Sequence, residues 1–295
     1  MRVLCVGNCT LDQIGIVERF AEAGTAVEMP TFSIQGGGTA ATAAVALARW
    51  GAQVRFVGKV ATDERGALIE RTLSGEGVDT SGMVRVADRI SQVRIIILES
   101  ESRERLTYFT PGNVGEMVAA EFDGRLLEGS DLLLVDGMHP GAQLEAMRQA
   151  RKMGVPVLLE ACRDREVAVE CVGLADLVVV SERRASELTG MGSLEGMCEA
   201  LLAKGPKMAV VTLGDEGAAA MQKGGGLVRR GPFDVEVVDR TGAGDIFLGA
   251  IALGSLEGWP LEKMVEFANC AAGLSCAGLG SRSGIPSRDE VEGSF

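Results

Sequence analysis

Short runs of aliphatic and β-branched residues recur along the chain, and between them apolar residues return at the three-to-four spacing of a buried helix face. The runs at 3–6, 54–57, 132–135, 155–159, 177–180 and 208–213 predict strands. The stretches at 39–50, 64–74, 141–153, 182–188, 194–203, 244–256 and 261–279 predict helices. Strand and helix in alternation signal parallel βαβ units, so a three-layer α/β/α domain is expected. Two stretches break the rhythm, 14–35 and 84–110, the second holding Gln92-Val-Arg-Ile-Ile-Ile-Leu98 and Arg105-Leu-Thr-Tyr-Phe109. A parallel core does not need them. They read as antiparallel insertions that form a small sheet at one edge, a lid over a site. A further hairpin is expected at 217–222 and 227–229, around Lys223-Gly-Gly-Gly226. No repeat or linker divides the chain, so 1–295 is expected to be one domain carrying the lid segments.

Composition narrows the function. Apolar residues make up 46% of the chain, enough for a globular core, while 40 glycines and only 12 aromatics (2 Trp, 1 Tyr, 9 Phe) over-supply flexible backbone. The balance of 29 basic against 41 acidic residues gives −12, and no basic run exceeds the pairs Arg183-Arg184 and Arg229-Arg230. That excludes the basic stripe of a nucleic-acid binder. An anionic ligand would have to be held by specific local groups. Seven cysteines without a C-x-x-C pair and a single histidine leave no zinc set and fit a reducing cytoplasm. The start, Met-Arg-Val-Leu-Cys-Val-Gly, is too short for a signal sequence. The longest apolar stretch, 40–48, is interrupted by Thr42 and too short for a bilayer, so neither secretion nor membrane insertion is expected.

Three motifs carry candidate chemistry. In Val237-Val-Asp-Arg-Thr-Gly-Ala-Gly-Asp-Ile-Phe-Leu-Gly-Ala250 a strand-like run meets two glycines and then an apolar helix. Unpaired first-turn N–H groups and the helix dipole make such a start an anion hole. Asp245, in that same turn, should stay ionised at neutral pH and could accept a proton from a hydroxyl attacking a phosphoryl group. Equally, Asp239 could simply cap the helix and Asp245 complement its dipole. In Gln35-Gly-Gly-Gly-Thr-Ala-Ala-Thr-Ala-Ala, three glycines either admit a ligand to the backbone or only turn the chain. Val210-Val-Thr-Leu-Gly-Asp-Glu-Gly217 ends a strand at the carboxyl edge, where α/β folds bind ligands, or is a plain turn. No G-x-x-x-x-G-K-[ST] occurs and Gly7 lacks the G-x-G-x-x-G spacing, against a P-loop NTPase and a nicotinamide dehydrogenase.

In this order the pieces resemble the ribokinase-like carbohydrate kinase family, the PfkB family, over essentially the whole chain. They are Asp12 after the first strand, glycines 36–38 before an alanine-rich helix, Thr-Leu-Gly-x-x-Gly at 212–217, Asp-x-Thr-Gly-Ala-Gly-Asp at 239–245, and Phe267-Ala-Asn269 before a glycine-rich tail ending Gly284-Ile-Pro286. The resemblance implies ATP-dependent phosphorylation of the primary hydroxyl of a small sugar, with Mg²⁺. Asp12, Gly36, Gly37 and Gly38 would hold sugar hydroxyls, with Thr42 where the family usually has Asn. Asp245 would be the base, and the amides of Gly242, Ala243 and Gly244 would hold the transferring phosphate. Thr212, Gly214 and Gly217 would line the nucleotide phosphates and ribose, with Asn269 against the adenine. A monovalent cation, K⁺ in some members, would lie among Asp239, Thr241, Ser275, Gly278, Gly280 and Gly284. The lid would also mediate a homodimer.

Departures accompany the matches. Arg240 replaces a small residue or Pro, and the Asn-x-x-Glu motif tied to Mg²⁺ and phosphate handling reads Ser181-Glu-Arg-Arg184, leaving Ser181 for the nucleotide and Glu182 as a substitute carboxylate. The Gly-Gly-Gly-x-Ala-Ala-Thr-Ala-Ala form and the ending Ser-Gly-Ile-Pro are similar to the sulfofructose kinase-like branch, but where that branch should carry a sulfonate-gripping base the chain reads Asp136-Gly-Met-His-Pro140. His139, at a strand's carboxyl end, either reaches substrate or is a solvated loop residue, and Arg94 and Asn113 of the lid are candidate sugar contacts. The scattered methionines read as core filling. A nucleoside kinase of the same fold and a non-catalytic sugar or nucleotide binder are the alternatives.

Overall fold

The computed structural model describes residues 1–102, 104–160 and 165–295, so Cys162 lies outside the described residues. The first half of the chain runs β1 (Arg2–Val6), β2 (Thr10–Val17), β3 (Thr31–Gly37), α1 (Thr39–Arg49), β4 (Gln53–Val57), β5 (Lys59–Ala61), α2 (Glu64–Ser74), β6 (Val84–Val86), β7 (Val93–Glu99), β8 (Arg105–Thr110) and β9 (Leu132–Val135). The second half adds α3 (Pro140–Met153), β10 (Val157–Glu160), α4 (Arg165–Leu174), β11 (Leu177–Ser181), α5 (Glu182–Thr189), α6 (Leu194–Leu202), β12 (Met208–Thr212), β13 (Ala218–Gln222), β14 (Leu227–Arg230), α7 (Ala243–Leu256), α8 (Leu261–Ser275) and α9 (Arg288–Glu292).

The main sheet has the order β14-β13-β12-β11-β10-β9-β1-β4. Its six strands from β12 to β4 are parallel, and the β13–β14 hairpin closes one edge antiparallel, at the expected place. Helices cover both faces, which is why the central strands are uniformly apolar, as in Leu-Leu-Leu-Val of β9. One core joins the sheet to α1, α7 and α8, the other to α3, α4, α5 and α6. The three-layer expectation therefore holds. No helix among the described residues is long and apolar enough to cross a membrane.

α4 escapes the helical pattern because Val167, Val169 and Val172 give its ten residues a strand-like, β-branched look. Packing of Ala168, Cys171 and Val172 into the second core overrides that local preference. α8 stops at Ser275 rather than 279, because Gly278 turns back onto Gly284: a Cβ on Gly278 would fall 2.5 Å from the Gly284 Cα.

The lid is a four-stranded sheet, β3-β2-β7-β8. Its two hairpins are antiparallel as expected, but β2 and β7 pair in parallel, so the sheet is mixed. It also begins earlier than expected, at Thr10, which puts Asp12 inside the lid sheet, while Val84–Val86 belongs to a separate two-stranded pair with β5. Ile14, Ile96 and Leu98 are buried on the face turned to the main domain. The opposite face leaves Phe32, Ile34, Ile95, Leu106 and Tyr108 exposed.

One contact between layers sets up the site. α1 and α7 touch almost backbone to backbone: a Cβ on Gly249 would lie 3.2 Å from the Ala43 carbonyl oxygen and 3.3 Å from the Ala46 Cβ. Glycine facing alanine keeps this contact close, and the two helices start side by side.

Candidate active site

Asp245 stands in the first turn of α7, half-buried, with the Thr39 side chain at the start of α1 as a neighbour that favours its ionised form. Burial raises its pKa from 3.8 to about 6, helped by the charges of Asp136 and Asp12 and opposed by Thr39 and Arg94. The carboxylate is still mostly ionised at neutral pH, but it is pushed up by its surroundings rather than held down by the helix end. Asp239 does not cap this helix. Its Oδ1 accepts from the Thr241 N–H (2.9 Å) and hydroxyl (2.7 Å), and its Oδ2 from the Gly280 N–H (2.8 Å).

The N-cap is Gly242, whose φ of 86° and close approach to Ser281 (2.6 Å from a would-be Cβ) both demand glycine. Among the described residues the Gly242 and Gly244 amides make no hydrogen bond, and that of Ala243 makes only a long one, 3.3 Å, to the Arg240 carbonyl. Gly244 differs in kind from Gly242: its φ is ordinary for a helix, and a Cβ there would meet nothing within 4 Å. Nothing in the protein itself requires a glycine at 244.

On the lid side, Asp12 accepts from the Thr10 hydroxyl through Oδ1 (2.6 Å), and burial raises its pKa. Among the described residues, the buried side-chain polar atoms without a partner are Asp12 Oδ2, Thr42 Oγ1 and Arg282 Nε. Such orphans are costly in a folded chain. Arg282, 4% exposed, donates to Thr72 Oγ1 (3.1 Å) and to the Gly37 carbonyl (3.2 Å), and burial lowers its pKa to about 10. The glycine triplet makes room for these groups: Cβ atoms on Gly36 and Gly37 would fall 2.2 Å from Arg282 Nη1 and 2.1 Å from Asp12 Oδ2. Gly38 has φ 97° and lies against the Asn8 backbone. Part of what looked like space for a ligand is thus taken up by the protein's own Asp12 and Arg282.

Asp136 anchors the floor. Its buried carboxylate accepts from the amides of Asn8 (2.7 Å), Ala40 (3.1 Å) and Met138 (3.0 Å) and from Gln143 Nε2 (2.8 Å), joining the ends of β1 and β9 to the starts of α1 and α3. His139 is not a solvated loop residue. It is 8% exposed, its Nδ1 accepts from the Met117 N–H (3.2 Å), and burial lowers its pKa. Asn113 pairs with Ile90, accepting its N–H at 2.6 Å and closing the loop at the base of the lid.

Beyond α7's N-terminus lies a cavity of about 320 Å³ that gathers Thr212, Gly214, Gly217, Ala243, Gly244 and Asn269. Phe233, Val235 and Phe247 give it apolar walls. Asn269 shapes that wall by donating to the carbonyls of Arg230 (3.3 Å) and Gly231 (2.9 Å). Ser181 does not line the cavity; its hydroxyl caps α5, accepting from the Arg184 N–H (3.4 Å). Glu182 is exposed in the first turn of that helix. Of the six expected cation residues, Asp239 accepts from Thr241 and Gly280, and a Cβ on Gly284 would fall 2.2 Å from the Ser275 carbonyl oxygen and 3.1 Å from the Gly278 Cα. From the lid, Arg105 Nη1 reaches Thr241 Oγ1 at 2.8 Å.

The model of the pfkB family carbohydrate kinases matches residues 1–288. The chain belongs to this family. It is 32% identical over 295 residues to the ribokinase of Bacillus subtilis (strain 168), with 99% of each chain covered. A crystal structure from Agrobacterium tumefaciens superposes with a TM-score of 0.91 at 31% identity, covering 99% of this chain and 96% of that one. The ribokinase of Arabidopsis thaliana, complexed with ribose and ATP, gives 0.85 at 25% identity, covering 99% and 97%. The protein is therefore a carbohydrate kinase of ribokinase-like fold.

For this carbohydrate kinase, the residues that sequence reasoning misses are Thr39, Asp136, Arg282 and the apolar walls of the cavity. Thr39 was within reach, since it directly follows the glycine triplet. Arg282 carries no such signal, because a lone arginine in a glycine-rich tail reads as solvent-exposed.

Proposed function

We propose that this kinase transfers the γ-phosphoryl group of ATP to a primary hydroxyl of a small sugar or sugar derivative, with Asp245 as general base and the first-turn amides of α7 as the anion hole. The observation that carries this reading is the position of Asp245. It lies within electrostatic reach of Asp12, which with Thr42 holds an unsatisfied buried oxygen, and directly follows Ala243 and Gly244, which line a cavity. Asp12 and Thr42 take acceptor hydroxyls, Asp245 takes the attacking hydroxyl's proton, and the α7 amides stabilise charge on the transferring group. Glu182 would be the carboxylate that the 181–184 segment offers to Mg²⁺, which would supply neutralising charge to the ATP phosphates. The carbonyl and hydroxyl oxygens of the 239–241 and 275–284 loops suit K⁺.

ADP release over pentoses, hexoses, keto-deoxy acids and nucleosides, with and without K⁺, tests the reading. A sugar acceptor and stimulation by K⁺ are expected. Turnover of adenosine alone would make the protein a nucleoside kinase, and ligand-shifted melting without ADP would make it a binder.

Gly244→Ala separates ligand from fold. A helical alanine is favoured over glycine by about 0.5–1 kcal/mol, so melting should be unchanged or slightly raised. The KM for ATP should nevertheless rise at least tenfold, because the new methyl points where the phosphates bind. A normal KM would remove the amides of this turn from the nucleotide site.

The protein also acts as a homodimer in this reading. Phe32, Ile34, Ile95, Leu106 and Tyr108 make an apolar sheet face that a second copy covers. Sedimentation should show a dimer for the unmodified chain and a monomer for Ile34→Glu/Tyr108→Glu; a dimer that survives both charges would place the contact elsewhere.

A further inference from the structure

Arg94 is the charged group of the pocket that the scheme above leaves without a task. In the parallel β2–β7 pair it lies directly opposite Asp12, and in the β7–β8 pair it lies opposite Phe109. Strand alternation puts 12 and 14 on one face of the lid together with 94, 96 and 98, and the burial of Ile14, Ile96 and Leu98 shows that this face is turned to the main domain. Its charge is felt by both Asp12 and Asp245, so it lies within electrostatic reach of both.

Several arginines elsewhere in the chain are committed to carboxylates, among them Arg49 to Glu76 at 2.7 Å, Arg55 to Asp79 at 2.7 Å and Arg288 to Glu257 at 2.6 Å. Arg94 has two carboxylates as neighbours, yet among the described residues it makes no ion pair, hydrogen bond or ring contact. Asp12 already has a compensating cation behind it in Arg282, one of the charges that opposes the rise in its pKa. The anion hole at α7 supplies separate donors for the transferring phosphoryl group. What remains is a partly exposed fork of N–H donors on the lid face that carries Asp12.

Neutral sugar hydroxyls are served by acceptors such as Asp12 and Thr42. A planar guanidinium with free donors matches a carboxylate or phosphate instead. We propose that the acceptor is an anionic sugar derivative, carrying a carboxylate or phosphate away from its reacting hydroxyl, and that Arg94 grips this oxyanion and sets the specificity for it. This rests on the reading that the pocket holds a phosphoryl acceptor.

Calorimetry on the full chain with matched pairs tests the proposal: fructose against fructose 6-phosphate, ribose against ribose 1-phosphate, and fructose against 2-keto-3-deoxygluconate. Each keeps a free primary hydroxyl, and the phosphate and carboxylate arms distinguish the two oxyanions. In at least one pair the charged member should bind tenfold or more tightly, about 1.4 kcal/mol, and added salt should erode that preference. Arg94→Ala should reduce it below threefold while neutral sugars bind as before, and Arg94→Lys should restore part of it. Equal binding within every pair, or a preference that survives Arg94→Ala, would overturn the proposal. So would a variant whose kcat falls alike for neutral and charged acceptors at unchanged KM, since Arg94 would then serve the transferring group. ADP release keeps this separate from the parent reading. Turnover of neutral sugars without charge preference leaves the kinase scheme standing, while Arg94-dependent anion binding without ADP leaves only the anion site.

Discussion

Asp245→Asn should lower kcat by about 10²–10⁴-fold with little change in acceptor binding, because the amide keeps the shape and the Thr39 contact but cannot take a proton. The pH profile follows from the same group. With a pKa of about 6, kcat/KM of the unmodified enzyme should climb tenfold per pH unit below 6 and flatten above it. Stability should move the other way. The folded protein binds this proton more tightly than the unfolded chain, so the contribution of Asp245 is fully present below 3.8 and is lost as the pH rises through about 6. At neutral pH the ionised carboxylate therefore costs at most about 3 kcal/mol, and its partial exposure reduces this to about 1–2 kcal/mol. Thermal melts at pH 7 should accordingly show Asp245→Asn more stable than the parent while nearly inactive, the trade-off expected of a group placed for chemistry. Activity within a few-fold of the parent would remove Asp245 as the base.

Asp136→Ala should be the most damaging substitution to stability outside the apolar core. It strips the partner from four N–H donors at once and opens a hole where Gly7 packs, a Cβ on which would lie 2.4 Å from the Asp136 Cγ. Removing one side of such a buried charged network costs about 3–5 kcal/mol. At roughly 2 °C per kcal/mol for a chain of this size, melting should fall by about 6–10 °C. Asp136→Asn keeps the volume but turns an NH₂ toward the donors, and about half that loss is expected. Because Ala40 N–H is one of the four, residual activity should fall further than stability alone explains. Unchanged melting would show that the carboxylate does not hold these loops.

How far the chain can be read without its structure depends on the range of the interaction. The parallel strands are legible because coverage on both faces makes them continuous apolar runs, as at 132–135, whereas α4 is not, because its valines carry the opposite local preference and only packing decides. In the candidate site, Asp245, Thr212, Gly214 and Gly217 are legible through glycine spacing at strand and helix ends. Thr39 meets Asp245 only because Gly249 lets α1 and α7 close together, and Arg282 reaches Gly36 and Gly37 only once the tail folds back beneath the lid. His139 shows the same limit: its place after a strand suggests an open loop, but the backbone of Met117 covers it. Side chains whose partners lie far away in sequence leave no local pattern to read.

The central claim is transfer of a phosphoryl group to a sugar hydroxyl by Asp245, and product stoichiometry tests it most directly. Purified protein is incubated with ATP, Mg²⁺ and each acceptor that releases ADP, and phosphorylated acceptor is quantified by mass spectrometry beside the ADP. One phosphorylated acceptor per ADP with the parent chain, and almost none of either with Asp245→Asn, is the predicted result. ADP formed without a phosphorylated acceptor, or undiminished product from Asp245→Asn, would contradict the account.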